Sequence, residues 1–111
     1  MKYFKITVKT IIEFYGGDIG NEELYLDIDS GRDYIENLSI KRHRNELVVR
    51  QYRTQRGDLI RDPEVRLDIS NGDWEAVEYR EDPHTHQIDH DGLQLDDFLC
   101  RWATNLEEQF L

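Results

Sequence analysis

A chain of 111 residues with 38% hydrophobic side chains has room for one domain and one modest core, and is too small for a large two-layer enzyme. Its longest unbroken apolar stretches run two or three residues, as in Leu47-Val48-Val49, so no segment reads as a membrane span. Fourteen Lys and Arg stand against 24 Asp and Glu, and the net charge of −10 opposes both phosphate backbones and anionic lipid.

In chain order, Met1-Lys2-Tyr3-Phe4-Lys5 lacks the apolar region of a signal peptide. Residues 3–15 fit two periods. Phe4, Ile6, Val8, Ile12 and Phe14 alternate like a strand, while Phe4, Val8, Ile11, Ile12 and Tyr15 share a helical face. The Gly16-Gly17 stop directly after Tyr15 favours the helix. From residue 23 to about 80 the period becomes two. Leu24, Leu26 and Ile28 make a first strand, closed by Asp29-Ser30-Gly31. Tyr34 to Ile40 and Leu47 to Arg53 make the second and third, separated by a turn at Arg44-Asn45. Gln55-Arg56-Gly57-Asp58 is a loop. Val65, Leu67 and Ile69 mark a fourth strand, and Asn71-Gly72 is expected to close a tight hairpin into a fifth, Trp74 to Arg80. Connections this short predict an antiparallel meander.

Residues 82–91 read as a solvated polar loop. After it, Leu95, Phe98, Leu99, Trp102, Leu106 and Phe110 form one apolar helical stripe. Asp91 and Gln94 have capping-box spacing, and Asp96-Asp97 suits the positive end of the helix dipole. The stripe needs an apolar partner, for which the sheet face bearing Leu24, Leu26, Val65, Leu67 and Ile69 is expected. The predicted fold class is therefore a single α+β domain over residues 1–111: an antiparallel five-stranded meander covered by an amphipathic C-terminal helix, with an N-terminal helix.

Charge is unevenly laid out. Residues 1–40 hold 4 basic and 8 acidic side chains, residues 41–66 hold 8 and 4, and residues 67–111 hold 2 and 12. The acidity serves solubility, docking onto a basic surface in the manner of a nucleic-acid mimic, or salt adaptation. The basic middle is mostly arginine. Tyr25, Arg50, Tyr52, Arg53 and Arg66 are the candidate partner-binding residues, because Arg and Tyr give large semi-rigid contact area. The alternative use of these arginines is pairing with the chain's own acids across strands. Asp89, Asp91, Glu107 and Glu108 are the candidate acidic docking surface.

The run Gln51-Tyr52-Arg53, Gly57-Asp58-Leu59, Asp62-Pro63-Glu64-Val65, followed by Tyr79 with Asp82 and by Trp102, Asn105, Leu106 and Gln109, resembles a family of small proteins of unknown function carried by phages, plasmids and conjugative elements. The resemblance covers residues 47–111. It departs at His84-Thr85-His86-Gln87, where such proteins carry glycine and an aromatic before Gln. It implies a mobile-element context and an intracellular protein.

Chemistry-bearing motifs are few. His84, His86 and His90 lie among carboxylates, and imidazole with carboxylate suits zinc and other transition metals. The string is one residue too long for the His-x-His-x-Asp-His motif of metallo-beta-lactamase-like hydrolases, whose much larger body also exceeds this chain. Cys100, the single cysteine, excludes an intramolecular disulfide and has no thiol-enzyme motif around it. Gly16-Gly17 and Gly20 lack the spacing and lysine of a phosphate loop, and Arg56-Gly57-Asp58 reads as a turn. The expectation is a cytoplasmic, non-enzymatic protein-interaction module of a mobile element, needing no cofactor or metal. It would bind a host or element protein and not nucleic acid or membrane, in one version inhibiting host defence as anti-CRISPR or anti-restriction proteins do. A metal-binding protein or small hydrolase using His84, His86 and His90 is the alternative.

Overall fold

In a computed structural model, which describes the backbone of residues 1–111 and every side chain except that of Gln55, the ambiguous first segment is a helix, α1 (Lys2–Phe14). The helical face wins because Phe4, Val8, Ile11 and Ile12 are all buried. Ile6 and Phe14, which only the strand reading would have placed inside, are 53% and 68% exposed. Gly16 follows at φ +87°, a conformation glycine adopts without a Cβ clash, and ends the helix.

Six strands follow: β1 (Glu23–Ile28), β2 (Asn37–His43), β3 (Glu46–Gln55), β4 (Asp58–Asp68), β5 (Glu75–Glu81) and β6 (Thr85–Ile88). They form one sheet in the order β1-β2-β3-β4-β5-β6, every neighbouring pair antiparallel. The meander is as expected, with one strand more than the five expected. β6 falls inside the segment read as a loop. It is an edge strand of largely exposed residues, so it carries no hydrophobic alternation to betray it.

Two-residue turns join β2 to β3 and β3 to β4. His43 faces Glu46 across Arg44-Asn45, with Arg44 at φ 54°. Gln55 faces Asp58 across Arg56-Gly57, at φ 53° and 83°, the left-handed pair that a tight hairpin of this kind requires. The expected tight hairpin at Asn71-Gly72 is not formed. Asp68 faces Glu75, so the connection is six residues long, and neither Asn71 nor Gly72 takes a positive φ. The extra length lets Trp74 tuck into the core at 7% exposure. There Lys5 covers its ring at 5.9 Å and donates to the Gly72 carbonyl. β2 also starts later than Tyr34, which sits 82% exposed in the β1–β2 loop.

The last helix, α2 (Asp96–Phe110), buries Leu99, Trp102, Ala103, Leu106 and Phe110. Asp96 and Asp97 occupy its first turn as expected. The capping box is not made: the helix begins after Leu95 with no side-chain cap, while the Asp91 amide bonds back to the Asp89 carboxylate. Both helices lie on the same face of the sheet and share one core with it. Leu38, Ile40, Leu47, Val49, Val65 and Leu67 are fully buried there, and Leu24, Leu26 and Ile69 are half-buried at its margin. The helices meet through Phe4 and Trp102, stacked at 5.5 Å. Trp102 Nε1 donates to Gln51 Oε1 at 2.8 Å, and Gln51 Nε2 donates to Gln109 Oε1 at 2.8 Å, a polar clasp within an apolar layer. Among the described residues no helix is long and apolar enough to cross a membrane.

Candidate functional site

Because side chains alternate along a strand, burying Leu38, Ile40, Leu47, Val49, Val65 and Leu67 under the helices turns their neighbours to the opposite face. That face has no helix over it. Its register sets out two rows across all six strands. One runs Tyr25, Lys41, Val48, Arg66, Glu78, Ile88, and the other runs Asp27, Ser39, Arg50, Glu64, Arg80, His86. Tyr52 and Arg61 continue beyond the second row. The sheet thus brings four of the five candidate partner-binding residues, Tyr25, Arg50, Tyr52 and Arg66, onto one surface. Arg53 does not join them. It follows Tyr52 and turns to the other side, where Nη1 lies 2.8 Å from Glu36 and 3.0 Å from Asp62.

The arginines of the open face are held by acids of the same chain. Arg50 lies 3.6 Å from Glu64, and Arg61 lies 3.7 Å from Glu64 and 3.1 Å from Asp82. Arg66 lies 3.6 Å from Glu46 and 3.2 Å from Glu78. Glu78 is a hub that also takes His86 at 2.6 Å and Arg80 at 3.8 Å. Burial pushes the Glu78 carboxyl up, but its His86 hydrogen bond with Arg66 and Arg80 outweighs that and holds it below the usual range. The amide and guanidinium of Arg61 hold Asp82 low against a smaller opposing effect of burial. The positive segment 41–66 is therefore neutralised locally, part of its counter-charge coming from the acidic final third.

Two aromatic groups are fixed in this lattice. Tyr52 donates its hydroxyl to Asp27 at 2.5 Å, and that bond, with partial burial, raises its phenol pKa. The Arg50 guanidinium sits 5.2 Å from the Tyr52 ring centre. Tyr25 on the first strand is 60% exposed. Among the described residues, Arg50, Arg61 and Arg66 each keep a buried Nε without a hydrogen-bond partner.

At one end of the face, a cleft of about 600 Å³ is lined by His43, Arg44, Glu46, Arg66, Asp68 and His90. The Ser70 amide holds Asp68 low. The candidate acidic residues lie in two places along the chain. Asp89 and Asp91 lie in the connection before α2. Glu107 and Glu108 lie in its last turn, about 16 Å further along the helix axis counted from its start. Tyr3 donates its hydroxyl to Glu107.

The histidines are dispersed in role. His86 is engaged with Glu78 and Arg80, His84 sits in the exposed turn before β6, and His90 lines the cleft. Among the described residues no three His, Cys, Asp or Glu side chains group so as to hold a metal ion. Cys100 is exposed. Sequence reasoning missed Glu78 and Glu64 as organisers of the arginines. It also missed Gln51 as a buried clasp, although Gln51 is in phase with Leu47 and Val49.

The fold and this face define an α+β domain with a helix pair on one side of an antiparallel meander and an uncovered Arg/Tyr surface on the other. The chain belongs to the family described as Domain of unknown function (DUF6908), whose model matches residues 6–111, a wider span than the residues 47–111 that carry the resemblance. No curated protein matches it, and no solved structure does.

Proposed function

We propose that this chain is a non-enzymatic interaction module of a mobile element. It acts in the host cytoplasm by binding a protein partner through the open face of its sheet. The observation that carries the reading is the placement of Tyr25, Arg50, Tyr52 and Arg66 on one uncovered surface, with Tyr52 and the arginines held in fixed geometry by carboxylates. Pre-ordered aromatic and guanidinium groups lose little side-chain entropy on docking, which is why such residues dominate interface energetics. A protein partner is favoured over nucleic acid because these guanidiniums are already paired and the chain carries −10 overall. Inhibition of a host defence system is the specific version, resting on the mobile-element resemblance, small size and acidity.

The test is paired affinity capture from the native host. Wild type, Arg50→Ala/Tyr52→Ala and a charge reversal of Asp89, Asp91, Glu107 and Glu108 are compared by mass spectrometry. A protein retained by wild type and by the reversal, and lost with Arg50→Ala/Tyr52→Ala, supports the reading. Tight low-salt gel shifts of DNA or RNA that vanish in Arg50→Glu/Arg66→Glu would replace it with nucleic-acid binding.

A further inference from the structure

The two edges of the sheet differ. β6 is four residues long, and short edge strands are one way proteins avoid unwanted pairing. β1 has six residues in unbroken register with β2, without proline, lysine or a bulge. The Arg44 amide donates to the Glu22 carbonyl, which sets the phase of the β1–β2 ladder. By the alternation of an antiparallel pair, Leu24, Leu26 and Ile28 bond inward to β2. Glu23, Tyr25 and Asp27 then turn their N–H and C=O groups to the free edge. No other backbone segment among the described residues bonds to those groups.

Chemistry along this edge is one-sided. Glu22, Glu23, Asp27 and Asp29 are all exposed, and β1 holds no basic residue. On the core side Leu24 and Leu26 are only half-buried, so the hydrophobic layer stops short at this strand. A second copy fits poorly. The antiparallel register that pairs all three outward residues sets Glu23 opposite the other copy's Asp27, and like charges directly opposite are destabilising.

We propose that β1 is the docking edge for an extended segment of a protein partner, one that alternates basic and apolar residues and adds as a seventh strand. Main-chain bonds to Glu23, Tyr25 and Asp27 supply affinity. Lysine or arginine on one face meets Glu23 and Asp27 beside Tyr25, and apolar side chains on the other extend the layer at Leu24 and Leu26. This deepens the protein-partner reading and rests on it; because Tyr25 and Asp27 also belong to the open face, the edge is read separately by amide protection and by the N-methylated peptide, whereas that reading stands or falls with Arg50 and Tyr52.

The probe is a fluorescein-labelled peptide alternating Lys and Val, followed by anisotropy, with amide exchange at Glu23, Tyr25 and Asp27 as the second readout. Wild type binds it and these three amides become protected. Tyr25→Pro removes one outward amide while leaving the β1–β2 ladder, since proline is tolerated where the N–H faces solvent. It weakens binding about tenfold or more, as does Glu23→Lys/Asp27→Lys. Glu107→Lys/Glu108→Lys leaves binding unchanged. The same peptide N-methylated at alternate residues does not bind. No binding by wild type, equal binding of the N-methylated peptide, or undiminished binding by Glu23→Lys/Asp27→Lys overturns the proposal.

Discussion

Trp102→Ala tests whether the two helices are held to the sheet as one unit. Trp102 is 4% exposed, stacks on Phe4 at 5.5 Å and on Phe98 at 5.7 Å, and donates to Gln51. Truncating a buried aromatic of this size costs about 3–5 kcal/mol. It also strands Gln51 Oε1 in a site where Gln51 is 7% exposed, and an orphaned buried acceptor costs about 1–3 kcal/mol. Because relaxation recovers part of both, about 4–6 kcal/mol is expected, against a stability of roughly 5–15 kcal/mol for a domain of this kind. With a urea slope near 1.5 kcal/mol/M, the midpoint falls by about 3 M. Trp102→Phe keeps a ring between Phe4 and Phe98 but loses the donor and part of the buried indole, so about 2–3 kcal/mol is expected, or a midpoint shift of about 1.5–2 M. Adding Gln51→Leu to Trp102→Phe removes the orphan, and the double variant is less destabilised than the two single changes summed. The assay is equilibrium urea unfolding followed by far-UV circular dichroism. A Trp102→Ala midpoint within about 0.3 M of wild type would refute the packing described here.

Other outcomes follow from the same geometry. Asp82 titrates below its ordinary value in the folded state, so its contribution is fully present above the unfolded carboxylate pKa of about 4 and is lost as pH falls through the depressed value. Asp82→Asn therefore lowers the urea midpoint at pH 7, and its difference from wild type shrinks in acid; a difference that grows in acid contradicts the assignment. Gly92 has φ +112°, and an added Cβ would meet the Glu75 carboxylate, an exposed side chain that can move aside. The backbone conformation then dominates, and Gly92→Ala lowers stability by about 1–2 kcal/mol in thermal or urea unfolding. EDTA leaves the melting temperature unchanged and elemental analysis finds no stoichiometric zinc, nickel or manganese, since His86 is committed to Glu78 and Arg80. Metal lost in His84→Ala/His86→Ala would reverse that.

What the sequence revealed depended on burial. The α2 stripe from Leu99 to Phe110 and the alternation of Val65 and Leu67 were legible because the core dictates those positions. Thr85–Ile88 was not, because an edge strand facing water needs no apolar residues. Asn71-Gly72 misled for a related reason. Its turn propensity was real, but placing Trp74 in the core required a longer connection, and tertiary packing prevailed. At the candidate surface, composition pointed to Tyr25, Arg50, Tyr52 and Arg66, which alternation then placed together. The neutralisation by Glu46, Glu64 and Glu78 depended on strand register, fixed by long-range pairing and by the irregularities at Arg50/Tyr52 and Arg66/Leu67. Arg53 was misplaced by one step of the same alternation.

Docking of a protein partner on the open sheet face is read from dissociation kinetics. With the captured partner immobilised, Arg50→Ala/Tyr52→Ala should raise the off-rate about tenfold or more and leave the on-rate within about twofold, because hot-spot truncation removes desolvated contacts. An unchanged off-rate, with the on-rate falling instead on charge reversal of Asp89, Asp91, Glu107 and Glu108, would contradict it and move the contact to the acidic connection before α2 and the last turn of that helix.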